Sequence, residues 1–200
     1  MPNYTPLPRA ELNRLIQGAT ILEEDGFGPK VYRLPSGDIL KLFRRKRLLS
    51  SALWRPHAIR FWRNAEGLKR LGIPTLQPDT LYQLDDPAWT AVRYQPLPGE
   101  TLSQRLRRDP GAWNALLPDL AAFIRHLHAS GVYFRSLHPG NIVLTPQGEF
   151  GLIDIADMQV RRRALGALLR RRNREHFEKY LRKEGLPFDS AALWALCEQA

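Results

Sequence analysis

The sequence predicts an α+β protein of two lobes, and three observations carry that expectation. Strand-like runs crowd roughly the first hundred residues, helical spacing takes over after residue 101, and a short linker, Pro96-Leu97-Pro98-Gly99-Glu100, stands between them. The lobes expected are 1–95, rich in β-structure, and 101–200, mostly helical, with 96–100 as the hinge. Hydrophobic residues make up 44% of the 200, enough for a core, so a globally disordered chain is not expected.

The first lobe begins with strand-like GATILEED and PKVYRLP around the turn Asp25-Gly26-Phe27-Gly28. A second turn, Pro35-Ser36-Gly37-Asp38, leads into DILKLF, which completes a three-stranded antiparallel meander. Ala58, Phe61/Trp62, Ala65, Leu68 and Leu71 then recur at helical spacing until Gly72 and Pro74. TLYQL and WTAVRYQ follow as strands, parted by Asp85-Asp86-Pro87.

In the second lobe, Thr101 is placed to cap a short helix, and Leu116, Leu120, Phe123/Ile124 and Leu127 mark a longer one over about 112–130. NIVLT and FGLIDI read as a hairpin across Pro146-Gln147-Gly148-Glu149. The remainder is helical and basic, with an apolar stripe of Leu165, Leu168/Leu169, His176/Phe177 and Tyr180/Leu181.

The net charge is +10, which favours an acidic partner such as nucleic acid, an anionic membrane face or a phosphorylated substrate. The excess gathers at Arg44-Arg45-Lys46-Arg47 and in 161–183, where ten basic residues face only Glu175 and Glu178. A solvated helix face is the competing explanation. The aromatic residues fall at core positions and no helix-turn-helix is visible, so nucleic acid is the least expected partner. One cysteine, Cys197, leaves no internal disulfide and suits a reducing compartment. MPNYTPLPRAEL has no apolar signal region, and no apolar run approaches the ~18 residues of a spanning helix, so a cytoplasmic location is expected.

Several residues can carry chemistry. Gly26 and Gly28 allow backbone amides to approach a phosphate, although two glycines in a hairpin are more often only a turn, to which Lys30 also belongs. Lys41, between Leu40 and Leu42, either snorkels from an edge strand or meets an anion. Glu66, on the helix that follows, can pair with Lys41 or face solvent. Asn141 and Asp154 stand at the same open end of the hairpin, and an amide oxygen beside a carboxylate suits Mg²⁺.

Taken together these pieces resemble the protein-kinase-like superfamily over about residues 18–183. DGFGPKVY resembles a shortened glycine-rich loop, ILKLF the strand with the phosphate-positioning lysine, and Glu66 its helix partner. RYQPLPGETL, with Arg93 and Gln95, resembles the adenine-binding hinge. FRSLHPGN falls on the H-R-D-L-x-x-x-N catalytic loop and LIDIAD on the D-F-G segment. The resemblance implies a two-lobed protein-kinase-like fold with a reduced C-lobe, ATP and Mg²⁺ as cofactors, and Asn141 and Asp154 as metal ligands. No Ala-Pro-Glu follows and only 46 residues lie beyond Asp154, unlike an ordinary protein kinase. The short form, LHPGN and the Arg-rich tail are similar to the lipopolysaccharide core (heptose/Kdo) kinase-like and toluene-tolerance proteins of Gram-negative bacteria. That implies an anionic glycolipid or sugar substrate and a peripheral contact with the cytoplasmic face of the inner membrane.

The loop departs from the pattern where it matters most. Ser136 stands at the position of the catalytic Asp and Phe134 at that of the His, while Arg135 is kept. A neutral hydroxyl cannot accept the proton of an attacking hydroxyl at pH 7. Asp157 or His138 can substitute as base; for His138 a loop histidine bonded to nearby backbone is preferred, and Asp157 can alternatively hold an arginine of the tail. Three functions follow: a rewired kinase using Lys41, Ser136 and Asp157, a nucleotide-binding pseudokinase, or a basic membrane-surface adaptor without nucleotide.

Overall fold

The computed structural model describes residues 3–44 and 57–198. It is a mixed α+β protein whose chain divides into two compact units, residues 1–66 with 76–96, and 67–75 with 97–200. Of the basic cluster at 44–47, only Arg44 lies among the described residues.

The first unit is built on a six-stranded sheet of order β1-β5-β6-β4-β3-β2. Its strands are β1 (Thr5–Leu7), β2 (Thr20–Asp25), β3 (Gly28–Arg33), β4 (Ile39–Arg44), β5 (Gln77–Leu84) and β6 (Trp89–Gln95). The expected meander is present as β2-β3-β4, but β4 also pairs along its length with β6, so Lys41 lies on an interior strand rather than an edge. Neither β1, which pairs parallel to β5, nor helix α1 (Arg9–Leu15) is among the elements expected from the sequence. Leu12 and Leu15 of α1 pack against buried Leu7, Leu34, Leu40, Tyr82 and Ala91. A short amphipathic helix of this kind gains its stability from such burial rather than from propensity. The outermost strand β2 is exposed throughout, and its Glu23, Glu24 and Asp25 with two register shifts make a poor template for further pairing.

Helix α2 (His57–Arg70) follows the periodicity: Ala58, Phe61, Ala65 and Leu68 are buried at i, i+3, i+7 and i+10. Phe61 meets Phe43 and Tyr94 with ring centroids 5.5 and 5.3 Å away.

The second unit contains β7 (Glu100–Thr101), α3 (Leu102–Arg108), α4 (Ala112–Ala129), β8 (Val132–Phe134), β9 (Ile142–Leu144), β10 (Phe150–Leu152), β11 (Met158–Val160), α5 (Ala167–Lys183) and α6 (Ala191–Glu198). Thr101 caps α3 in a capping box with Gln104, satisfying two otherwise orphaned amides. Strands β10-β9-β7 form one small sheet and β11-β8 another. Leu120, Ala121, Ile124 and Leu127 give α4 a fully buried stripe, and Phe177 meets Trp194 edge-on at 5.7 Å. Burying each such Leu, Ile or Phe contributes about 1.5–3 kcal/mol. The stripe on α5 differs from expectation: Asn173, Phe177 and Leu181 are its buried residues, while Leu168 is 53% exposed.

Candidate functional site

Residues 131–160 of the second unit assemble around two strand pairings. Gly131 ends α4 at φ 74, and a Cβ there would stand 2.5 and 2.6 Å from the carbonyl oxygens of Arg161 and Arg163. No other residue fits that approach without moving backbone. The Arg161 amide donates to the Gly131 carbonyl at 2.9 Å, and β8 then pairs with β11 so that Phe134 faces Met158. This register brings the residues just after Phe134 beside those just before Met158.

The juxtaposition joins Ser136 to Asp157. The Ser136 hydroxyl donates to Asp157 Oδ2 at 2.6 Å, in the range of hydroxyl–carboxylate bonds. The other carboxylate oxygen, Oδ1, is buried and has no hydrogen-bond partner among the described residues. A buried carboxylate oxygen without a donor costs free energy, and such groups concentrate where a ligand or reaction supplies the missing proton.

The loop between β8 and β9 is fixed from inside. Pro139–Asn141 forms a single 3₁₀ turn, in which the Gly140 amide donates to His138 Nδ1 at 3.1 Å. His138 is thus a loop histidine held by nearby backbone. Its ring also stacks on Tyr180 with centroids 4.0 Å apart and lies 3.5 Å from Glu184 Oε1. Burial, with His176 adding, lowers its pKa against the opposing pull of Glu184. The Asn141 amide nitrogen donates to the Ser136 carbonyl at 3.0 Å, which leaves its amide oxygen without a donor among the described residues.

The β9–β10 hairpin sets the distance between Asn141 and Asp154. Ile142 faces Leu152, and the Ile153 amide donates to the Asn141 carbonyl at 3.0 Å. Residues 74 and 75 grip Leu152: its amide donates to the Pro74 carbonyl at 3.0 Å and its carbonyl accepts from Thr75 Oγ1 at 2.7 Å. Asp154 follows two residues later, past the end of the strand that was expected to include it, at φ 50 and ψ 44. It is the one non-glycine residue in the left-handed region among those described. That conformation is costly for an L-residue, least so for Asp and Asn, and is kept where neighbouring structure imposes it.

Asn173 is a buried polar residue, anchoring the start of this loop, that sequence reasoning missed. From the middle of α5 its amide nitrogen donates to the Phe134 carbonyl at 2.6 Å, and its oxygen pairs with His128 Nε2 at 3.2 Å. It is 1% exposed. The available signal was its spacing: 173, 177 and 181 form an i, i+4, i+8 stripe in which an asparagine replaces an apolar residue. Burial and the nearby Arg170 lower the pKa of His128 to about 4, so it is neutral at pH 7 and donates to Asn173.

The candidates in the first unit have different surroundings. Gly26 and Phe27 form a two-residue turn between Asp25 and Gly28, with the Phe27 amide donating to Asp25 Oδ1 at 2.9 Å. Gly28, at φ 104, fits the left-handed requirement of a tight hairpin. Lys30 is not in that turn but in β3, where it pairs with Glu23 at 2.7 Å. Lys41 Nζ lies 5.9 Å from the ring centroids of Phe43 and Phe61, within cation–π range. Glu66 is exposed and accepts from the Trp62 indole at 2.9 Å; among the described residues no ion pair joins it to Lys41. Arg93 binds Asp79, with Nε 2.7 Å from Oδ2, so its side chain is committed within the sheet. Gln95 ends β6 opposite Gln77, exposed.

Among the described residues no group of three or more His, Cys, Asp or Glu is placed to hold a metal, and no helix is long and apolar enough to cross a membrane. No protein-family model matches the chain, and no curated protein matches it.

Proposed function

We propose that the protein is a kinase-like phosphotransferase that binds ATP and Mg²⁺ and phosphorylates a sugar of lipopolysaccharide core or a related envelope glycolipid. The two units would then be the lobes of a reduced kinase-like fold, with a mostly antiparallel sheet in one and helices around a small hairpin in the other. The observation that carries the proposal is the hydrogen bond from Ser136 to Asp157, which leaves one carboxylate oxygen without a donor. It supplies the acid–base group that the loop sequence lacks.

In this proposal Asp157 is the base, accepting the proton of the acceptor hydroxyl. Ser136 fixes the carboxylate by donating to its other oxygen, a positioning role compatible with a neutral side chain. Asn141 and Asp154 fit a hard cation, because the amide oxygen has no competing donor and the carboxylate is exposed. When bound, Mg²⁺ neutralises charge on the transferring phosphoryl group and ATP supplies that group. Lys41 contributes an ammonium toward phosphate oxygens, and the glycine turn at 26–28 contributes backbone amides. The arginines of α5 favour an anionic glycolipid and an anionic membrane face, each contributing about 1 kcal/mol near such a surface.

A pseudokinase is the second reading, favoured by the placement of Glu66 on Trp62 rather than Lys41. The test is transfer of labelled γ-phosphate to lipopolysaccharide core fragments, alongside melting with and without Mg²⁺-ATP. Transfer by the wild type that disappears in Asp157→Ala is the expected result. Stabilisation by Mg²⁺-ATP without any transfer leaves the pseudokinase, and no stabilisation removes both in favour of an adaptor without nucleotide.

A further inference from the structure

A pocket lies in the second unit at the start of α5, and neither Ser136 nor Asp157 is among the residues lining it. It has a volume of about 620 Å³, the size of a drug-like ligand. Arg170, Arg171 and Arg174 line it, together with Trp194, Leu168 and the sole cysteine, Cys197.

Four features give this pocket a preference for an anion. Helix α5 begins at Gly166, which has no side chain to cap it, and its first turn carries no acidic residue. The amides of that turn therefore keep their partial positive charge at the wall formed by Ala167 and Leu168. Arg170 is oriented by a bond from its Nε to the Leu165 carbonyl at 2.8 Å, which leaves its terminal nitrogens without partners among the described residues. Among the described residues Arg171 is paired only with exposed Glu175 at 3.5 Å, a contact that water screens. Arg174 does hold Glu178 at 2.8 Å, and Glu198 contributes one carboxylate to the rim. Finally, the Trp194 indole nitrogen is buried and has no acceptor among the described residues, although the residue is only 3% exposed.

The apolar side is equally defined. Leu168 presents half its surface to solvent where the sequence pattern expected burial, and the almost fully buried Trp194 completes the apolar lining. Guanidinium groups beside an apolar wall match an anionic head on a hydrocarbon body. We propose that this pocket binds an amphipathic phosphate, with the head group at Arg170 and Arg171 and the apolar portion against Leu168 and Trp194. This does not rest on nucleotide chemistry and holds whether or not the protein is a kinase.

Cys197 gives the test a site-specific readout, because it lines the pocket and is the chain's one thiol. Maleimide labelling of the full-length protein is followed by intact mass with n-decyl phosphate, inorganic phosphate or decyl glucoside present. The expected result is slowed labelling with decyl phosphate alone. Arg170→Gln should weaken that protection about tenfold, the value of a charge-assisted hydrogen bond, and Arg171→Gln in the same direction by less. Arg171 holds only an exposed pair, so its replacement keeps the test valid if Arg170→Gln misfolds. Equal protection by decyl glucoside, equal protection by inorganic phosphate, no protection at all, or full protection retained in Arg171→Gln would each overturn the proposal.

Discussion

The loop of residues 134–157 and the candidates of the first unit differ in what their polar groups touch. In the loop, Ser136 bonds Asp157, Asn141 bonds the Ser136 carbonyl, and Asp154 is held in a left-handed conformation. These contacts orient groups yet leave an Asp157 oxygen without a donor. In the first unit, Arg93 bonds Asp79, Lys30 bonds Glu23 and Glu66 bonds Trp62, pairings between near neighbours. A network with an unused buried acceptor has a capacity for further chemistry, whereas completed surface pairs mainly set local structure.

Replacing Asp157 tests the contrast most strongly. Asp157→Ala should lower phosphoryl transfer by about 10²–10⁴-fold, the usual value of a general base, in a steady-state assay. Ser136→Ala should cost less, because it removes only the group that orients the carboxylate. Equal losses would mean that the pair acts as one unit.

Next in size is Asn173→Leu. It strips partners from the Phe134 carbonyl and His128 while keeping the volume, and should destabilise by about 2–4 kcal/mol in urea unfolding. A loss under about 1 kcal/mol would show that the loop is anchored elsewhere.

Acid should have a comparable effect. The folded-state pKa of His128 is depressed to about 4 from 6.5, so above pH 6.5 both folded and unfolded forms are neutral there. As pH falls from 6.5 to 4 only the unfolded chain takes up the proton, and stability declines by as much as about 3 kcal/mol. Burial shifts His138 and His176 in the same direction, so their contributions add. Imidazole titration by NMR alongside melting from pH 7 to 4 measures this.

Asp154→Gly should do two opposite things. Relief of the left-handed backbone should stabilise the protein by about 1 kcal/mol, while stabilisation by Mg²⁺-ATP disappears. Loss of stability instead would mean that the carboxylate itself holds the structure together.

The smallest effects belong to the first unit. Arg93→Ala should cost about 0–1 kcal/mol, since half of the Asp79 side chain is exposed. Glu66→Gln, which can still accept from Trp62, should change Mg²⁺-ATP affinity less than about threefold; a tenfold loss, about 1.4 kcal/mol, would place Glu66 with Lys41 in the nucleotide-bound state.

Much of the architecture was legible because it rests on local rules. Helical spacing marked α2 and α4, Thr101 marked the start of α3, and turn residues separated β2, β3 and β4. β1 escaped because three residues carry no period and depend on the neighbouring β5 for their hydrogen bonds. Helix α6 falls within the stretch read as helical, but its separation from α5 around Gly185 and Pro187 was not marked.

What the sequence by itself determined is the order of elements, the charge of α5 and the residue types in the loop. It could not say that Ser136 meets Asp157, since that depends on how β8 aligns with β11 across twenty-one residues of chain. A shift of one residue would turn each side chain to the opposite face. Nor could it assign Leu168 to solvent or Asn173 to the interior, because both lie on one amphipathic helix whose rotation is set by what packs against it. Local propensity depends on neighbours in sequence. The partner of a buried polar group is decided by neighbours in space.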